Sequence, residues 1–289
     1  MIKAENFEHV LSDAHARYAL NSSDSDLKTF INQAEKLVLE KCSFVDDKTD
    51  LTIHQAFLRK VARRSTRLQR AQLFTTNYDT AFEQAAHKAH FNIIDGFGYG
   101  GGEFDGGSFD LDFVRRRANE QPTLEPSVFH LLKLHGSVDW DGSNDTIRRV
   151  TGTPSQPLLV YPSAEKYQLA FRQPYLEFTS RFQIALRQPD VGLLVVGFGF
   201  NDEHIVAPIQ SAFRSNIGLR AVIVDPAVRS DARNDAFSEI ENLIGLGDRR
   251  LTLLKGTFED LVRVLPDVPP LEERDAHFER IGKRTGSGN

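Results

Sequence analysis

The sequence predicts an α/β fold: a Rossmann-like, doubly wound, mostly parallel sheet with an N-terminal helical layer and an inserted loop-rich segment. Three observations predict it. Short apolar runs of strand length alternate with helical patterns from Leu73 to Leu265. Before residue 71, apolar residues recur only at helical spacing. Between Asp95 and Arg117 the chain is rich in glycine, phenylalanine and arginine and carries no helical period. The expected organisation is a helical layer over 1–70, an α/β core over 71–265 and a charged tail over 266–289.

The bulk numbers bound the function. A chain of 289 residues with 40% hydrophobic and 26% charged residues has the make-up of an ordinary globular protein. The net charge of −5 supplies no global basic field, so direct nucleic-acid binding is not expected. Cys42 is the one cysteine, which excludes an internal disulfide framework and any multi-cysteine zinc module. No apolar run approaches membrane-spanning length, and the opening Met-Ile-Lys-Ala-Glu-Asn has no signal-peptide character. The cytoplasm is the expected location.

Along the chain, Phe7, Val10, Leu11, Ala14 and Tyr18 mark a first helix. Leu27, Phe30, Ile31, Ala34, Leu37 and Val38 mark a second, with Asn21-Ser22-Ser23-Asp24 as turn and cap between them. Phe57, Leu58, Val61 and Leu68 mark a third, bearing Arg59, Lys60, Arg63, Arg64, Arg67 and Arg70, read as a solvated face. Strands are expected from Leu73, at Phe91–Ile94, Phe129–Leu134, Leu158–Tyr161, Val191–Val196, Ala221–Val224 and Leu251–Leu254. The run Val191–Val196 is continuously apolar, as in a strand covered on both faces. Helices are expected after Asp79, over Tyr175–Arg187, after Asp202, over Asp235–Ile244 and over Phe258–Leu265, with a further helical stretch at Leu271–Ile281.

Four loops follow predicted strands: Thr75-Thr76-Asn77-Tyr78-Asp79, His135-Gly136-Ser137, Gly197-Phe198-Gly199-Phe200-Asn201-Asp202, and Asp225-Pro226. Parallel strands place such loops along one edge of a sheet, where open α/β folds bind ligands. Asn77 offers a donor and an acceptor, Asp79 a carboxylate and His135 a base suited to neutral pH. Gly136 lets backbone or ligand approach closely. Gly197, Phe198 and Gly199 present bare backbone at the start of a helix. Asp225 follows the next strand, where an acidic residue commonly binds an adenosine ribose. Together these suit a dinucleotide.

The segments Thr-Thr-Asn-Tyr-Asp, Lys-Leu-His-Gly-Ser and Val-Gly-Phe-Gly-Phe-Asn-Asp-Glu-His-Ile, in that order, resemble the signature loops of sirtuin-like proteins. They are most similar to those of bacterial sirtuin-like NAD hydrolases of antiviral defence. The resemblance covers about residues 71–265, and Asp95–Arg117 looks like the insertion these proteins carry. It implies a nucleotide-binding core that cleaves NAD to nicotinamide and ADP-ribose, with NAD as substrate and no cofactor required. By the same resemblance His135 is the base, Asn77 holds the nicotinamide ribose or the attacking water, and Asp79 holds the carboxamide. The Gly197–Gly199 loop and Asp225 would hold adenosine ribose and phosphates, with Gly256 near the adenine. Asn201 and Asp202 are read as helix caps. The resemblance further implies a homo-oligomer and a HerA-type ATPase partner.

The chain departs from the family's pattern in two ways. The four-cysteine zinc module of deacylating sirtuins is absent, and no strand with a glycine-rich phosphate loop precedes residue 71. The second departure keeps an alternative open: a non-catalytic subunit that binds NAD or ADP-ribose in a defence complex. Gly96-Phe97-Gly98-Tyr99-Gly100-Gly101 matches a dinucleotide fingerprint literally, but Gly102-Glu103-Phe104-Asp105-Gly106-Gly107 breaks the helix that the fingerprint needs. This segment is read as a lid. His54, His87, His90, His130 and His204 show no ligand spacing with carboxylates, so no metal is expected.

Overall fold

The computed structural model describes residues 7–63, 69–98, 102–116, 118–143, 146–159, 173–228 and 235–267, with 277 and 280–281. Most of the expected tail helix, Arg64 and Arg67 of the basic run, and Tyr161 lie outside these residues. Helices α1 (Phe7–Leu20) and α2 (Ser25–Cys42) pair through Leu11, Ala14, Ile31 and Ala34. An i, i+3 spacing puts each of these pairs on one helix face. Asp24 caps α2 as expected, its carboxylate accepting from the Leu27 N–H at 2.9 Å.

The third helix, α3 (Thr52–Val61), leaves this layer. Phe57 and Leu58 pack with Ala81, Ala85, Ala86, Phe129 and Val262, so α3 is built into the core. Three described residues of the basic run, Lys60, Arg63 and Arg70, are tied inward, which corrects the reading of a solvated face for them. Arg63 is buried, and Lys60 donates to the carbonyls of Val262 and Leu265 at 2.9 and 2.7 Å. Arg70 makes a two-pronged bond to Asp112. The acceptors for Lys60 and Arg70 lie far along the chain, where a run of cations gives no sign of them.

From residue 71 the elements alternate. They are β1 (Ala71–Thr75), α4 (Ala81–Lys88), β2 (Asn92–Ile94), β3 (Val114–Arg115), β4 (Thr123–Leu124), β5 (Val128–Lys133), β6 (Gly136–Asp141), β7 (Arg148–Arg149) and β8 (Pro157–Leu159). Next come α5 (Tyr175–Arg187), β9 (Gly192–Val196), α6 (Glu203–Ser215), β10 (Arg220–Val224), α7 (Asp235–Gly245), β11 (Leu251–Leu254) and α8 (Phe258–Val264). The parallel strands form two three-stranded sheets, β1–β5–β2 and β11–β10–β9. The small sheet β7–β6–β8 is antiparallel.

Strand order decides burial. All six residues of the central strand β5 are buried. The more apolar run at β9, expected to be covered on both faces, is an edge strand with only Val195 buried. Thr75 accepts from Leu134 and Val191 from Arg220, so peptide groups alternate toward and away from the partner strand. The groups of Phe74 and Leu194 therefore face outward from their sheets.

The glycine-rich insertion is packed rather than lid-like among the described residues. Phe97 lies against Phe104 and Trp140, and Phe104 and Phe109 lie edge-on to Phe178. A five-residue 3-10 helix, Gly106–Asp110, stands in this insertion, and the described residues contain no helix that could complete the fingerprint. The main core runs from these rings through Leu132 and Phe182 to Ile209, Phe213, Ile223 and Ile240. No helix among the described residues is long and apolar enough to cross a membrane.

Candidate functional site

β1 and β5 run parallel with Thr75 opposite Lys133, so the loops after both strands leave the same sheet edge. The loop Thr76–Asp79 is fastened to the chain just beyond β5. The Leu134 N–H donates to the Thr75 carbonyl at 2.8 Å, and the Val138 N–H to the Tyr78 carbonyl at 3.0 Å. Lys133, only 2% exposed, donates its ammonium to the Tyr78 and Asp79 carbonyls and pairs with Glu83 at 3.1 Å. A buried ammonium is tolerable only with such a full set of acceptors. Burial pushes the Glu83 carboxyl up, against the pull of Lys133.

His135 does not end in an open loop, as the sequence suggested. The chain turns at Leu134–His135 and enters β6 at once. Gly136 has φ of +90°, and a Cβ there would collide with the Leu158 carbonyl. The close approach that Gly136 permits is therefore one of backbone to backbone. Tight turning and the neighbouring strands leave His135 4% exposed.

The second half of the rim comes from β9, β10 and β11. The Gly197 N–H donates to the Val224 carbonyl at 2.9 Å, the Asp225 N–H to Leu254 at 3.1 Å and the Gly256 N–H to Asp225 at 3.4 Å. Gly197, Asp225 and Gly256 are thus brought together as expected from their positions after three adjacent parallel strands. Gly197 has φ of +62°, and the space a Cβ would occupy is open. The Phe198 ring lies tilted at 54° against Phe200, which is buried against Phe237. The Asp225 carboxylate is buried and accepts from the Ala227 N–H at 2.7 Å, which fixes the turn after β10.

The two halves meet at His135. Its Nε2 lies 3.2 Å from Nε2 of His204, with the rings stacked at 27°, and 3.9 Å from an oxygen of Asp202. The Tyr78 ring lies 6.5 Å from the His135 ring. Asp202 stands at the N-cap of α6, but its carboxylate makes no capping bond. Its carbonyl, not its side chain, receives the Ile205 and Val206 N–H groups. Asp202 is thus the cap residue expected from the sequence, capping through its backbone. One atom each from His135, Asp202 and His204 lies within 4.8 Å of the others, a set able to hold a metal ion.

Asn77 is exposed on the loop beside Tyr78, and its N–H is bound by the Thr75 hydroxyl at 3.1 Å. The Asp79 carboxylate accepts from the Ala81 N–H at 2.9 Å and heads α4. His204, Asp202, Lys133 and Glu83 were not among the site residues expected from the sequence. His204 and Asp202 did carry a signal, since both fall inside the third signature segment. Lys133 and Glu83 carried none beyond a charge within an apolar run. A model of the SIR2-like domain matches residues 71–243, more than half of the chain. No curated protein matches it.

Proposed function

The chain belongs to the SIR2-like family, whose chemistry is NAD-related, and we propose that it is an NAD glycohydrolase, converting NAD and water to nicotinamide and ADP-ribose. The observation that carries this reading is His135, a buried imidazole at the junction of the two loop sets. Breaking the nicotinamide–ribose bond turns a cationic pyridinium into a neutral leaving group through an oxocarbenium-like state. A protein speeds this by fixing the nicotinamide and by removing a proton from water or a ribose hydroxyl. His135 is the base in this scheme. Asn77 positions the ribose or the attacking water, and Asp79 the carboxamide. Gly136 holds the turn that aims His135, while Gly197, Phe198, Gly199, Asp225 and Gly256 receive the adenosine end. The reaction needs no added cofactor in this scheme.

With Cys42 as the one cysteine, the four-cysteine module of deacylating relatives has no counterpart, which favours water over an acyl-lysine as acceptor. In this reading the protein is a homo-oligomeric antiviral effector that depletes NAD in the cytoplasm, paired with a HerA-type ATPase. The similarity of its three signature segments to defence hydrolases supports that role. The test is chromatography of products after incubation with NAD, alone, with an acyl-lysine peptide, and with the ATPase. Nicotinamide and ADP-ribose in equal amounts, independent of the peptide, are expected. Absence of nicotinamide under all three conditions contradicts the proposal and leaves a non-catalytic nucleotide-binding subunit.

A further inference from the structure

We propose that His135, His204 and Asp202 form a site for one transition-metal ion of the Zn2+ class, and that the bound ion takes His135 out of proton transfer. The regulatory half rests on His135 being the base; the site itself does not. Two imidazoles and a carboxylate are a donor set that suits Zn2+ and its neighbours rather than Mg2+ or Ca2+. Zinc–nitrogen bonds of about 2.0–2.1 Å place two tetrahedral ligands roughly 3.3 Å apart. The two Nε2 atoms are 3.2 Å apart, and the Asp202 oxygen is 3.9 Å from His135 Nε2. All three ligand atoms fall within 4.8 Å of one another. Turning the Asp202 carboxylate toward the two Nε2 atoms completes the set.

The ligands sit on rigid supports. His135 is held in the turn between β5 and β6, Asp202 at the N-cap of α6 and His204 in its first turn. Their geometry is therefore set before any ion arrives, which favours binding. Without metal, a 3.2 Å contact between two imidazole nitrogens has one donating to the other. An ion displaces that proton to solvent and uses the Nε2 lone pair of His135. Three protein ligands leave a fourth position for water, the arrangement of an open zinc site. A lone pair committed to a metal cannot accept a proton, so occupancy and base catalysis exclude each other.

The full chain, stripped with chelator, is titrated calorimetrically with Zn2+ and followed by visible absorption with Co2+. His204→Ala and Asp202→Asn are compared with the wild type after circular dichroism confirms that they fold. One ion per chain is expected, with affinity lower by at least about a hundredfold in His204→Ala and by about tenfold in Asp202→Asn. Saturating Zn2+ is expected to stop nicotinamide release, and chelator to restore it. No stoichiometric binding, or equal binding by folded His204→Ala, overturns the site. Binding at this site with undiminished hydrolysis overturns the regulatory half. If the metal-free protein releases no nicotinamide, the binding titration still decides the site, and the proposed hydrolysis fails separately.

Discussion

At Gly136 a single hydrogen in place of a methyl group decides whether the turn after β5 can form. With φ at +90° and the Leu158 carbonyl in the path of a Cβ, Gly136→Ala meets both backbone strain and a fixed obstacle. The expected loss is on the order of 2–4 kcal/mol, read as a lower urea midpoint with unchanged slope. The need for a glycine here was legible in the sequence; its cause, a carbonyl from β8, was not. His130 makes a second case. It is buried in β5 beside Phe109, and burial, with the Arg181 guanidinium in support, pushes it down to about 4 from 6.5. Between those values the unfolded chain binds a proton that the native chain refuses. This contribution is complete above pH 6.5 and is lost as pH falls toward 4, by up to about 3 kcal/mol. Thermal melts across that window are expected to show a shallower pH dependence for His130→Phe.

Among elements, one buried charge joins the backbone hydrogen bonds that hold β5 to the loop after β1. Lys133 serves two carbonyls of that loop and Glu83 of α4 at once. Lys133→Met leaves the Glu83 carboxyl buried without its partner, for an expected loss of about 3–5 kcal/mol. Adding Glu83→Leu removes the orphaned charge, and urea unfolding of the double variant should recover much of that loss. The helices α5 to α8 were legible because amphipathic periodicity is a property of the segment itself. The two-residue strands β3 and β4 were not, since so short an element owes its form to its neighbour. In the same way Lys133 announced itself only as a lysine in an apolar run, with acceptors many residues away.

For the molecule as a whole, the alternation of strands and helices made the parallel α/β architecture legible, and the order of four loops made the rim legible. Strand order was not contained in composition: β9 has the apolar run of a central strand and lies at an edge, while β5 carries a lysine and is buried throughout. Nor did spacing show that His204 and Asp202, from the loop and helix after β9, would meet His135 after β5. Only the placement of both sheets joins them. At that junction His135 is proposed to remove the proton when NAD is hydrolysed. The most direct measurement is the rate of nicotinamide release from NAD by the metal-free wild type and by His135→Ala, with folding matched by circular dichroism. Release by the wild type is expected, with a fall of at least about a hundredfold in the variant, in line with the loss of a general base. A folded His135→Ala protein that releases nicotinamide at the wild-type rate would contradict it.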